Sequence, residues 1–158
     1  MSEITTQILT PIGPVWMTIA DDRLRALEFG ESAIAVAARH PIRDRVAAYF
    51  AGELDALEAI SVEPEGSDFQ RSVWTALRRV PRGATTSYGE LARAIGLPRH
   101  VRAVAGANAK NPIAIVVPCH RVIAKDGTLH GYRYGLDRKR WLIAHERSTS
   151  FALGYCDA

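Results

Sequence analysis

From Ile4 to Gly30 the chain reads ITTQILTPIGPVWMTIADDRLRALEFG, short apolar-rich runs interrupted by turn formers. Pro11-Ile-Gly-Pro14 and Asp21-Asp22 are the interruptions, and they predict three strands over residues 4–10, 14–20 and 23–29. The period then changes. In PIRDRVAAYFAGE, Ile42, Val46, Tyr49 and Phe50 recur at helical spacing behind Pro41, which predicts a helix. The stretch SVEPEGSD, 61–68, has linker composition. It sets a boundary between a first domain, 1–64, and a second, 65–150, followed by a tail, 151–158. The expected class is α/β of the α+β kind, a small sheet-plus-helix domain ahead of a mostly helical one.

The second half opens with a capping box, Ser67 followed by Gln70, before the apolar face Phe69, Val73, Trp74 and Leu77. That helix ends near Pro81-Arg-Gly83. Ser87-x-x-Glu90 starts another, with Leu91, Ala92 and Ile95 inward, and Gly96-Leu-Pro98 stops it. A third follows at once. Two helices joined by a turn of three or four residues containing glycine make a helix-turn-helix.

The third helix, RHVRAVAGANAK, has two distinct faces. Val101, Val104 and Ala107 or Asn108 can pack inward, while Arg102, Ala105, Gly106 and Ala109 line another side. That side is flat and headed by an arginine. A glycine inside a helix costs about 1 kcal/mol relative to alanine, so another surface is expected to approach the backbone there. The surface is either a neighbouring helix or a nucleic-acid groove into which Arg102 is inserted. Beyond Asn111-Pro112, Ile113 to Val117 reads as a buried strand, and Pro118 ends it, so Cys119 stands at the strand's end.

Charge sharpens the division. Residues 1–64 hold five arginines and ten carboxylates, a balance of −5, whereas residues 65–158 hold fifteen Arg or Lys and seven carboxylates, a balance of +8. The basic half is either an ordinary solvated surface or a polyanion binder. The two cysteines, 119 and 156, form no disulfide framework and no zinc cluster, so thiols in a reducing compartment are expected. No leader pattern opens the chain, and no run reaches the roughly 18 apolar residues of a membrane span, which leads us to expect a cytoplasmic protein. A lone cysteine is usually a small buried hydrophobe. In VVPCHR, 116–121, however, His120 and Arg121 adjoin the thiol within a basic half, and a base or a positive field would favour the thiolate.

NPIAIVVPCHRVI, with SYGELA and RAVAGA before it and GYRYGLDRKRWLIAHE after it, resembles the O6-alkylguanine-DNA alkyltransferase family, the methylated-DNA–protein-cysteine methyltransferases, from about Asp68 to Glu146. The resemblance implies a ribonuclease-H-like first domain and irreversible transfer of an alkyl group, mainly methyl, from O6 of guanine or O4 of thymine in duplex DNA to Cys119. It implies that His120 takes the thiol proton through a water, that Glu146 orients His120, and that Asn111 braces the turn. Tyr88 would help rotate the nucleotide and stabilise the departing guanine. Arg102 would fill the stack of a flipped base, with Ala105, Gly106, Ala109 and Arg121 against the DNA minor groove. Tyr132, Arg133, Tyr134 and Val122 would wall the pocket. Tyr134 stands where some members carry small residues, which implies a narrow pocket. The zinc-binding cysteines some relatives carry near the N-terminus are absent, so no metal, no other cofactor and a monomer acting on double-stranded DNA are expected.

Two other readings compete: a lesion-binding module without transfer chemistry, which the set Cys119, His120, Asn111 and Glu146 opposes, and a cysteine hydrolase, which needs neither a helix-turn-helix nor a basic half. Elsewhere Trp74 and Trp141 read as core, Arg138-Lys139-Arg140 as a solvated first helical turn, His130 as a surface-loop residue and Cys156 as incidental.

Overall fold

The structure, a computed structural model, describes residues 3–156, with side chains through residue 147. It divides into two compact units: the residues up to Glu65 with Pro112–Val116, and Gly66–Asn111 with the chain from Val117 onward. A division into consecutive segments did not anticipate that return of Pro112–Val116 to the first unit.

In the first unit, β1 (Glu3–Thr10), β2 (Gly13–Ala20) and β3 (Arg23–Phe29) form an antiparallel meander in sequence order. Asp21 and Asp22 make the β2–β3 turn with φ of 52° and 57°. Two left-handed residues in a two-residue loop match the twist of the strands they join, and aspartate tolerates that conformation. Val15, Met17 and Ile19 of β2 are buried with Leu24 and Leu27 of β3. Val46 and Tyr49 of α1 (Pro41–Phe50) complete this core. Each such side chain contributes about 1.5–3 kcal/mol on full burial. The entry to α1 is set by His40, whose Nδ1 accepts the Ile42 N–H at 3.1 Å, and by Pro41 at the first helical position.

The expected strand from Ile113 to Val117 is corrected. Only Ile113 pairs, in parallel with Leu27: the Leu27 N–H donates to the Pro112 carbonyl at 3.0 Å and the Ala114 N–H to the Leu27 carbonyl at 2.9 Å. Residues 114–116 form a turn in which Ile115 takes φ of 72°. A β-branched residue there costs about 1–3 kcal/mol and persists where packing holds it. Ile113, Ala114, Ile115 and Val116 are all at most 4% exposed. A short apolar run is buried equally well as strand or as turn, so its composition did not distinguish them.

The second unit contains α2 (Asp68–Arg78), α3 (Tyr88–Ala94), α4 (Val101–Ala109) and α5 (Leu136–Cys156). The Ser67–Gln70 box closes reciprocally. At α3 it is half formed: Ser87 Oγ accepts the Glu90 N–H at 3.2 Å, while the Glu90 carboxylate takes the Ser87 hydroxyl at 3.1 Å. The link from α3 to α4, 95–100, is longer than the turn expected, and Gly96 bends it with φ of 77°. The helix α5 runs through Cys156, so the segment expected as a tail from 151 is helical that far; the Cys156 side chain lies outside the described residues.

Val73, Leu77, Ala92, Val104 and Leu142 are fully buried. Trp74 packs with them and spends its indole N–H on the Ala107 carbonyl at 2.8 Å, which satisfies its one polar atom. Gly66 is required here, since a Cβ would lie 2.6 Å from the Trp74 ring. Three inward expectations are corrected: Val101 is 37% exposed, Ile95 is half-buried, and Trp141 is half-buried with its ring stacked on His145 at 4.6 Å rather than in the core. No helix among the described residues is long and apolar enough to cross a membrane.

Candidate active site

Pro118 ends the buried turn, and Cys119–Arg121 follows as one 3₁₀ turn. The Cys119 N–H donates to the Val117 carbonyl at 2.8 Å. Asn111, 2% exposed, donates from Nδ2 to that same carbonyl at 2.7 Å and also hydrogen-bonds Cys119. One amide thus joins the two ends of the excursion that precedes the thiol.

Cys119 is 7% exposed. Burial pushes its thiol upward, and the Asn111 hydrogen bond, a backbone hydrogen bond and the charges of Lys139 and Arg133 offset this only in part. The positive charges near this thiol are thus opposed by its loss of hydration.

His120 is fully buried, with Nε2 2.9 Å from Glu146 Oε2. Its Nδ1 has no hydrogen-bond partner among the described protein atoms. The ring is thereby oriented by one nitrogen and left with the other for proton transfer. Glu146 takes two further bonds from Arg121, Nε to Oε1 and a terminal nitrogen to Oε2, both 2.9 Å. Burial alone would raise its pKa, but the charge and hydrogen bond of His120 and the paired bonds of Arg121 hold the carboxyl well below the usual range. Arg121 also donates to the Val80 carbonyl at 2.7 Å. Its expected place against DNA is corrected: the guanidinium is committed to this buried network, and fork-to-carboxylate pairing accounts for why.

A pocket of about 300 Å³ opens over the thiol, lined by Tyr88, Asn108, Ala109, Asn111 and Cys119 on one side and Gly131, Tyr132, Arg133 and Tyr134 on the other. The Tyr132 and Tyr134 rings meet edge to face at 5.7 Å, and the Arg133 guanidinium lies 5.4 Å from the Tyr134 centroid. Burial pushes the Tyr88 phenol upward, and a side-chain hydrogen bond from Asn108 opposes it. Val122, expected in the wall, is not: it is 1% exposed and bridges Thr86.

Lys139 was expected in a solvated helical turn and is 1% exposed. Its ammonium donates to the carbonyls of His130 and Gly131 at 3.0 and 3.1 Å, which ties down the pocket's outer strip. A buried ammonium is tolerated where carbonyl dipoles replace water. His130 is exposed, with Nε2 2.8 Å from Thr128 Oγ1, and is outside the pocket. Asn108 and Lys139 are the site residues that sequence reasoning missed. The signal for Asn108 was an amide on the inward face of a helix; Lys139 gave none.

On α4, Arg102, Gly106 and Ala109 are exposed and Ala105 is half-buried. Among the described residues a Cβ at Gly106 would meet nothing within 4 Å, so none of their helices packs on this glycine, and Gly106 and Ala109 are exposed, Ala109 at the edge of the pocket. Among the described residues no cluster of His, Cys, Asp or Glu could hold a metal ion.

The fold and site define a protein with a helix-turn-helix and a buried cysteine backed by a His–Glu pair. Residues 68–148 match the DNA-binding domain of 6-O-methylguanine DNA methyltransferase. A methylated-DNA–protein-cysteine methyltransferase of Salmonella typhimurium is 43% identical over 159 residues, 89% of this chain and 93% of its own length. One from Mycolicibacterium paratuberculosis is 56% identical over 107 residues, 68% of this chain and 64% of its own. The crystal structure of Mycobacterium tuberculosis OGT in complex with DNA superposes with a TM-score of 0.83 at 42% identity, covering 92% of this chain and 93% of that one. The chain belongs to the methylated-DNA–protein-cysteine methyltransferase family, and is a DNA-repair enzyme of alkyl transfer.

Proposed function

We propose that this protein repairs duplex DNA by moving the alkyl group of O6-alkylguanine, and of O4-alkylthymine, irreversibly onto Cys119, one group per molecule, acting as a monomer from the minor groove and without a cofactor. The observation that carries the reading is a buried thiol in the lining of a pocket, next in sequence to a histidine held by a buried carboxylate. The expected compartment is the cytoplasm.

The alkyl carbon is hidden in the base stack, so the nucleotide is extruded at a cost of about a few kcal/mol. Arg102 fills the space left, and the small face of Ala105, Gly106 and Ala109 lies against the groove. The Cys119 proton passes through a water to His120, and Glu146 stabilises the imidazolium. The sulfur lone pair then forms the S–C bond as the C–O6 bond breaks, and its electron pair leaves with the base. Tyr88 donates to the departing guanine, and the proton taken from the thiol ends, in balance, on that base. The product is a thioether, which water does not hydrolyse, so turnover stops at one.

The direct test is mass spectrometry of the protein after incubation with excess duplex carrying one O6-methylguanine. One methyl group on the peptide holding Cys119, and no second addition, is expected. Protein that stays unmodified while binding the lesion would make it a recognition module. Tyr134 and Tyr132 restrict the pocket, so O6-methylguanine is expected to react at least about tenfold faster than O6-benzylguanine, a difference of ~1.4 kcal/mol in the barrier. Comparable rates in single-turnover assays would refute the narrow pocket.

A further inference from the structure

Glu146, 1% exposed, meets two side chains from one 3₁₀ turn. Its Oε2 lies 2.9 Å from His120 Nε2 and accepts a terminal nitrogen of Arg121 at 2.9 Å, while Oε1 accepts Arg121 Nε at 2.9 Å. The arginine is itself anchored. Its other terminal nitrogen donates to the Val80 carbonyl at 2.7 Å, and its backbone carbonyl accepts the Thr86 N–H at 2.8 Å.

One carboxylate oxygen suffices to orient a histidine, and the fork adds two things. Paired N–H···O bonds fix the plane of the carboxylate, which a single bond from the imidazole leaves able to turn. They also balance its charge. A buried carboxylate facing only a neutral imidazole is uncompensated, and such a group gathers a proton, on itself or on its partner. Either outcome spoils the base: an imidazolium cannot accept the thiol proton, and a neutral carboxyl cannot stabilise the imidazolium that forms. With Arg121 in place, carboxylate and guanidinium cancel, and the imidazole is the member that changes charge. The other charged or titratable groups about the turn are Lys139 and Arg133, which act on the Cys119 thiol, Tyr88 in the pocket lining, and Arg147, which follows Glu146 and donates to the Gly83 carbonyl at 3.3 Å. A change at Arg121 leaves all of them in place.

We propose that Arg121 is a positioning residue for the transfer reaction, its fork fixing the Glu146 carboxylate against His120 and balancing its charge so that the imidazole waits neutral for the thiol proton. This rests on the reading of Cys119 and His120 given above. Arg121 touches no reacting atom in this scheme and acts through Glu146.

Single-turnover methyl transfer from a saturating O6-methylguanine duplex, followed from about pH 5 to 9, is the test, with melting temperature and duplex affinity measured beside it. Arg121→Gln removes the charge. It is expected to slow transfer at least about tenfold near neutrality and to move the acid-side midpoint up by about one pH unit, so that alkaline pH restores part of the rate. Arg121→Lys keeps a positive charge without the fork, and is expected to be slower at every pH with its midpoint near that of wild type. Slowing by Arg121→Gln that is the same at every pH would show a packing role and overturn the proposal, as would a wild-type rate or a midpoint that moves equally in both variants. Should Arg121→Gln not fold, the ring nitrogen chemical shifts of His120 in the wild-type protein decide. A neutral ring protonated on Nε2 at about pH 7 is expected, and an imidazolium would overturn the proposal. Wild-type protein whose Cys119 takes no methyl group would instead remove the underlying reading, and this inference with it.

Discussion

Cys119→Ala is expected to abolish methyl transfer completely while leaving the protein folded and able to hold a lesion-bearing duplex with affinity changed by less than about threefold, or ~0.7 kcal/mol. Among the described residues that line the pocket Cys119 carries the one thiol, His120 is committed to Glu146, and Tyr88 is pushed away from ionisation by burial. The substitution removes one buried sulfur and its hydrogen bond with Asn111, while the bond from Asn111 to the Val117 carbonyl remains. On the proposed reading, base extrusion and groove contact depend on α4, which is untouched. Electrophoretic mobility shift with an O6-methylguanine duplex, together with intact mass, separates the two effects. Residual methylation at another residue would refute Cys119 as acceptor. Loss of lesion binding would show that the duplex is held by the reaction rather than by the fold.

Glu146→Gln should be the most damaging change away from the thiol. It removes a charge that meets both His120 and Arg121, and leaves the Arg121 guanidinium buried beside a neutral amide. Breaking one partner of such a network costs about 3–5 kcal/mol. Transfer is expected to slow by about 10²–10³-fold, because the imidazolium formed on proton uptake loses its counter-charge. The pH dependence has a defined sign. Glu146 is held below its ordinary range in the fold, so its contribution is complete above an unfolded value of about 4.3 and is lost as pH falls toward the folded one. The gap in unfolding free energy between wild type and Glu146→Gln should therefore be widest near neutrality and shrink on acidification below about pH 4. Urea unfolding of both proteins across that range reads it directly. A gap that is constant with pH would mean that packing, not ionisation, gives Glu146 its value.

The sequence by itself determined the elements and the chemistry carried by short spacings. The three strands lie within a residue of the limits read from their turn formers, because proline and paired aspartates restrict local backbone angles whatever surrounds them. The Ser67 box closed for the same local reason. Cys119, His120 and Asn111 were legible as a motif, and Glu146 as its distant partner only through family resemblance.

Tertiary structure alone decided which charges are solvated. Arg121 and Lys139 look like surface cations in a basic half, yet one is locked onto a carboxylate 25 positions away and the other onto loop carbonyls. Nothing local distinguishes a solvated cation from one whose hydration is replaced by fixed dipoles, because the replacement comes from residues the chain brings in from elsewhere. The same holds for Pro112–Val116, whose apolar composition required burial but did not say in which unit. Periodicity records which side of an element avoids water; only the assembled fold records what it meets there.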